Sequence, residues 1–134
     1  MEYKLFADGA CTKNPGGEAS YGYVLYGNDE KIDYGYGIIG SGAMMNNVIA
    51  EYYAITQGIA SFIRHWKDPR SSLIIYNDSK FVISQVLSHE ILGFQLKNLK
   101  NFVDVKLEWI PREKNLADIF SKRLRTGLSK TYPE

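Results

Sequence analysis

Cysteine occurs once in this 134-residue chain, at Cys11. No internal disulfide can form, and a disulfide scaffold or a Cys-built zinc site is excluded. Histidine is scarce too, with only His65 and His89. No apolar run approaches the roughly 20 residues of a membrane-spanning helix. Residues 1–6 are strand-like and too short for the apolar region of a signal peptide. Charge of one sign is missing as well: 16 Lys+Arg against 15 Asp+Glu leave a net +1, which argues against attachment to nucleic acid by bulk charge alone. What is present, 45% hydrophobic and 23% charged residues, is the make-up of an ordinary globular protein. The length fits one domain, residues 1–134, able to bury a real core. The expectation is a cytoplasmic monomer with a reduced thiol and no membrane partner.

The charge is unevenly spread. The first 67 residues carry five Lys or Arg and seven Asp or Glu; the last 67 carry eleven and eight. Lys122, Arg123, Arg125 and Lys130 concentrate the excess near the end. Residues 124–134 therefore read as a solvated basic tail.

Tyr3, Leu5 and Ala7 alternate with polar or opposite-face residues, a strand expected to end at Asp8-Gly9. Residues 11–19 read as a loop rich in Gly, Pro and Asn. Strands are expected over 21–26 and 31–39, joined by a hairpin turn at Gly27-Asn28-Asp29-Glu30. Gly35 and Gly37 suggest close backbone approach or a bulge in the third strand. The period then changes. Tyr52, Ile55, Ile59, Phe62 and Trp66 recur at helical spacing, predicting an amphipathic helix over 47–66 stopped by Asp68-Pro69. Residues 73–76 form a continuous apolar run, expected to be a central strand buried on both faces. Asp78-Ser79 caps a second helix to about residue 87, and a short helix over 94–102 follows Gly93. Val105, Leu107 and Trp109 mark a fifth strand, and a last helix is expected over 116–124. The order β-β-β-α-β-α-α-β-α gives an α/β fold: a five-stranded mixed sheet, three strands antiparallel and two parallel, covered by helices.

Four acids occupy special places in this order. Asp8 ends the first strand, Glu51 lies in the first turns of the long helix, Asp78 follows the fourth strand and Asp118 begins the last helix. Each alone has an ordinary explanation as a turn residue, a helix-start charge or a cap. Together they gather where open sheets collect ligands, at strand carboxyl ends and helix N-termini. Four converging carboxylates would repel one another unless cations relieve them. An all-carboxylate set suits Mg²⁺ or Mn²⁺, and the absence of nearby His and Cys speaks against zinc.

The segments Asp8-Gly9-Ala10-Cys11-Thr12-Lys13-Asn14-Pro15-Gly16-Gly17, Ala50-Glu51-Tyr52, Asn77-Asp78-Ser79-Lys80-Phe81-Val82 and residues 110–118 together resemble the type 1 ribonuclease H family. They stand in the family's order, with matching element types between them, over residues 1–124. Residues 117–122 also resemble the ribonuclease H domain of some retrotransposon polyproteins. A chain that starts at Met and closes as one domain favours a free-standing enzyme.

The resemblance implies a ribonuclease H-like fold and Mg²⁺-dependent endonucleolytic cleavage of the RNA strand of RNA–DNA hybrids. Two ions would be held, Mn²⁺ being able to substitute, and the products would carry 5′-phosphate and 3′-hydroxyl ends. It implies Asp8, Glu51, Asp78 and Asp118 as catalytic and metal-binding residues, Asp8 bridging the two ions. Cys11, Asn14, Asn47 and Lys80 are implied as substrate contacts, although Asn46-Asn47 is shifted relative to the family's Asn pair. Two family features have no counterpart. The loop at 111–115 has no His, and the stretch 88–93 is too short and not basic enough for the protrusion some members carry. Other classes stay open: a catalytically silent module binding hybrid or double-stranded RNA, or a structure-specific nuclease of the wider superfamily.

Overall fold

The computed structural model describes residues 1–13 and 15–118. Five strands form one sheet in the order β3-β2-β1-β4-β5: β1 (Glu2–Cys11), β2 (Glu18–Gly27), β3 (Glu30–Ser41), β4 (Ser72–Asn77) and β5 (Asp104–Trp109). The first three are antiparallel; β4 joins β1 in parallel and β5 joins β4 in parallel. The helices are α1 (Asn47–His65), α2 (Lys80–Gln85) and α3 (Glu90–Leu99), with short 3₁₀ turns at Val86–Ser88 and Arg112–Lys114. This is the mixed architecture expected from the sequence. None of the described helices is long and apolar enough to cross a membrane.

The β2–β3 hairpin turns at Asn28 and Asp29, whose φ values of 48° and 68° are what a two-residue turn matched to strand twist requires. Gly35 and Gly37 face Tyr23 and Tyr21 across the ladder. A Cβ at either glycine would fall 2.4 or 2.8 Å from the facing ring, so these glycines make room for aromatic side chains. Helix α1 is capped by Asn46, whose Oδ1 accepts from the Ile49 N–H at 2.9 Å. Its Ala54, Ile55, Ile59 and Phe62 are fully buried against Leu5, Leu25, Leu73 and Ile75 of the sheet. Gly58 lets it settle there, because a Cβ would meet the Leu5 side chain at 2.7 Å.

Three expectations are corrected and a fourth is narrowed. Strand β1 does not end at Asp8-Gly9 but runs to Cys11, because β2 continues to pair with it as far as Cys11↔Ala19. Strand β4 is not buried on both faces. Leu73, Ile75 and Asn77 are buried, while Ser72, Ile74 and Tyr76 are half-buried, with Tyr76 stacked on Phe6. Of the Asp78-Ser79 pair expected to cap α2, Ser79 is the cap, its hydroxyl accepting from the Val82 N–H at 3.2 Å, and Asp78 is left to the cleft. Finally, α3 begins at Glu90 rather than after Gly93, capped by His89 Nδ1, which accepts from the Leu92 N–H. Gly93 is a close-approach residue within this helix, where a Cβ would lie 2.5 Å from the Leu87 carbonyl oxygen. The expected last helix over 116–124 and the basic tail lie, from residue 119 on, outside the described residues.

Candidate active site

The parallel pairing of β1 with β4 stops at Phe6↔Tyr76, whereas β1 goes on beside β2. The sheet therefore opens at Ala7-Asp8, at the carboxyl end of β4. Two buried asparagines close the gap left in the ladder. Asn77 Nδ2 donates to the Ala7 carbonyl at 3.0 Å, and Asn115 Nδ2 donates to the same oxygen at 2.9 Å. Asn77 uses its Oδ1 to accept from the Ser79 N–H, and Asn115 its own to accept from the Ala117 N–H. Each asparagine thus ties a loop carrying an acid, Asp78 or Asp118, to the strand carrying Asp8.

Gly9 brings the third element in. A Cβ there would overlap the α1 backbone, 2.2 Å from the Ala50 carbonyl carbon and 2.4 Å from the Glu51 nitrogen. With that contact made, Glu51 Oε1 accepts from the Gly9 N–H at 2.6 Å and from Asn77 Nδ2 at 3.1 Å. Glycine is at this position because strand and helix backbones touch, not because the chain turns.

The carboxylates of Asp8, Glu51 and Asp78 each present an oxygen within 4.8 Å of the others. Asp8 is 4% and Glu51 7% exposed, and Asp78 Oδ2 is buried with no hydrogen-bond partner. Such a cluster resists ionisation. Burial pushes the Glu51 carboxyl well above its ordinary range, and the charges of Asp8 and Asp78 push it further. Burial also raises Asp78, and Asp118 adds to the rise. Hydrogen bonding with Glu51, the charge of Arg112 and a bond from Asn115 oppose it. An all-oxygen set of carboxylates, two of them buried and one oxygen of the third unsatisfied, fits a hard divalent cation.

These groups line a cleft of about 400 Å³ whose walls include Asp8, Cys11, Asn47, Glu51, Asp78 and Asp118. Asp118 faces the same cleft but stands outside the tight trio. Cys11 belongs to β1, not to the expected loop. It is buried beside Ala19 and Ala50, with its thiol donating to the Lys13 carbonyl at 3.0 Å. Asn47 is exposed at the first turn of α1, and its neighbour Asn46 is occupied as the cap. Asn14 lies outside the described residues. Lys80 is not part of the cleft wall; its ammonium stands 4.6 Å from the centre of the Trp109 ring.

Three further residues contribute, two of which, Asn77 and Asn115, sequence reasoning gives no role in holding the acids. Arg112 is the one cation among the described wall residues, and its place in the short polar loop before Asp118 is the signal that offers it as a phosphate contact. Asn77 and Asn115 position the acids, and the adjacency of each to an Asp or to a loop end was the available signal.

The RNase H family model matches residues 1–122. Among solved structures, the N-terminal RNase H domain of Rv2228c from Mycobacterium tuberculosis is 23% identical, with a TM-score of 0.74 over 97% of each chain. LC11-RNase H1, solved in complex with an RNA/DNA hybrid, is 20% identical with a TM-score of 0.68, over 94% of this chain and 99% of its own. The prototype foamy virus protease-reverse transcriptase matches at 13% identity and a TM-score of 0.63. There the match covers 98% of this chain but 21% of the viral one.

Proposed function

We propose, from the premise that this chain belongs to the RNase H family of enzymes, that it is an endonuclease cutting the RNA strand of RNA–DNA hybrids. One observation carries the reading: three carboxylates, two of them nearly inaccessible, meet within 4.8 Å in an open cleft. A binding module has no use for such a cluster, since its assembly costs desolvation and repulsion that no contact offsets. The solved hybrid complex of LC11-RNase H1, which shares this fold, supports the choice of substrate. Double-stranded RNA is the further candidate.

Asp8, Glu51, Asp78 and Asp118 are the proposed ligands of two Mg²⁺ ions, with Mn²⁺ able to substitute. When bound, the ions would activate the attacking water and stabilise the departing 3′-oxygen, leaving 5′-phosphate and 3′-hydroxyl ends. The protein's own contribution is placement. Gly9 and Asn77 fix Glu51 Oε1 and so hold the carboxylate beside Asp8 and Asp78. Asn77 and Asn115 hold the loops of Asp78 and Asp118 against Ala7. Arg112, on the rim, supplies a positive charge to a phosphodiester entering a negative site. Cys11 and Asn47 are the proposed wall contacts for the substrate, joined by Asn14 and Lys80. Residues 1–134 are read as one domain acting as a cytoplasmic monomer, and the free thiol of Cys11 is in keeping with a reducing compartment.

The test is cleavage of an end-labelled RNA–DNA hybrid with Mg²⁺, with Mn²⁺ and with chelator, with double-stranded RNA and junction DNA as competitors. Metal-dependent cuts in the RNA strand alone, with 5′-phosphate ends, are expected. Binding without cleavage would establish the silent module instead, and preference for junction DNA would establish a structure-specific nuclease.

A further inference from the structure

Trp109 is the last residue of β5, paired in register with Asn77, yet it is 44% exposed. The ring is held in one place by its polar handle and by a neighbouring cation. Two contacts fix it. Its Nε1 donates to the Asp78 backbone carbonyl at 3.1 Å, which pins the ring beside the cleft. The Lys80 ammonium lies 4.6 Å from the ring centroid, within the range of a cation–π contact. Lys80 itself is exposed, and among the described residues it makes no ion pair with a carboxylate.

A free lysine on the surface samples many rotamers, and a phosphate contact must first freeze them. Here the ring has already done much of that, holding the ammonium two residues from Asp78. We infer that Trp109 is a positioning residue that holds Lys80 at the edge of the cleft to receive a phosphate of the nucleic-acid strand entering past β5. The inference rests on the reading of the chain as a hybrid nuclease, and it assigns the indole a part in substrate binding rather than in the core. Each phosphate contact adds a little under one to the slope of log affinity against log salt, so the loss of one is visible in the salt dependence.

The experiment uses the full chain and a fluorescent RNA–DNA hybrid. Affinity is titrated against salt in chelator, and KM and kcat are measured in Mg²⁺. Lys80→Gln should lower the slope of log affinity against log salt by a little under one. Trp109→Leu should lower it partly, with affinity reduced about twofold to fivefold, the share of an exposed cation–π contact. Both should raise KM while kcat holds. The double variant should be no weaker than Lys80→Gln alone, since the ring acts through the lysine. Trp109→Phe, which keeps a ring and loses the N–H, should restore most of the slope.

An unchanged slope in Trp109→Leu, or fully additive losses in the double variant, would overturn the inference. So would a fall in kcat at unchanged KM in both Trp109 variants, because the indole would then act only through the Asp78 backbone. The chelator titration separates this from the function itself. Wild type that binds hybrid with these slopes and never cleaves it would sink the nuclease reading and leave the platform standing. Cleavage with indistinguishable slopes would do the reverse.

Discussion

Asp8→Asn removes one of three carboxyl groups that meet within 4.8 Å while preserving size and shape. If the cluster is the metal site, hybrid cleavage should fall by about a thousandfold, on the scale of losing a preorganised electrostatic group. Asp78→Asn should do the same. Near-normal Mg²⁺ activity in either variant would refute the assignment. Glu18→Gln, an acid outside the cleft wall, should cleave like wild type. The asparagines give a subtler test. Asn77→Ala removes one of two donors to Glu51 Oε1 and one of two to the Ala7 carbonyl at once, and loss of such an outer contact should weaken Mn²⁺ binding by about 10- to 100-fold. Titrating Mn²⁺ by its paramagnetic effect on water relaxation would read this directly. The convergence of Asp8, Glu51 and Asp78 was legible from their order among the elements, although Asp8 and Glu51 stand inside β1 and α1 rather than at their ends. The parts played by Asn77 and Asn115 were only hinted at by their closeness to Asp78 and Asp118, since a sequence does not say that the β1–β4 pairing stops at Phe6↔Tyr76 and leaves a carbonyl to be satisfied.

Among the elements, the contact of β1 with α1 is the one on which the site depends, and Gly9 is its fulcrum. Gly9→Ala would drive a methyl into the Ala50–Glu51 backbone, where no side chain can swing aside. The expected cost is about 3 kcal/mol or more, seen as a lowered urea midpoint, with Glu51 displaced even in molecules that fold. A midpoint equal to wild type would mean that the strand and helix are not so close. The cap of α1 predicts a smaller effect: Asn46→Ala should cost about 1 kcal/mol and leave the cleft chemistry intact. Period and capping made α1 readable to within one residue of its end. They failed at β1 and α3 for one shared reason. In the sequence Gly9 and Gly93 look like breaks, but each is a small residue inside an element, placed where a second backbone presses in. Glycine's conformational freedom and its lack of bulk give the same letter, and only tertiary contact distinguishes them.

At the scale of the whole molecule, the acid cluster links stability to pH and to metal. The fold holds the Glu51 carboxyl well above its ordinary 4.5, and Asp78 is raised too. Below 4.5 both folded and unfolded chains keep the Glu51 proton, and the group costs nothing. As pH rises past that value the unfolded chain releases the proton while the folded chain retains it, so stability falls. Above the raised folded value the loss is complete and levels off. In chelator, wild type should therefore melt at a lower temperature at pH 8 than at pH 5. Glu51→Gln should remove most of that slope and raise the pH 8 value, because the amide oxygen can still accept from Gly9 and Asn77. Divalent metal should reverse the trend. Cations bind the deprotonated cluster of the folded chain and not the unfolded one, adding about 2.7 kcal/mol at a hundredfold excess over Kd. The melting shift produced by Mn²⁺ should accordingly grow from pH 5 to pH 8, as protons cease to compete for the same oxygens. Calorimetry of wild type and Glu51→Gln at both pH values, with and without metal, checks all of this. A metal shift independent of pH, or one retained in full by Glu51→Gln, would place the binding away from the Asp8, Glu51 and Asp78 cluster.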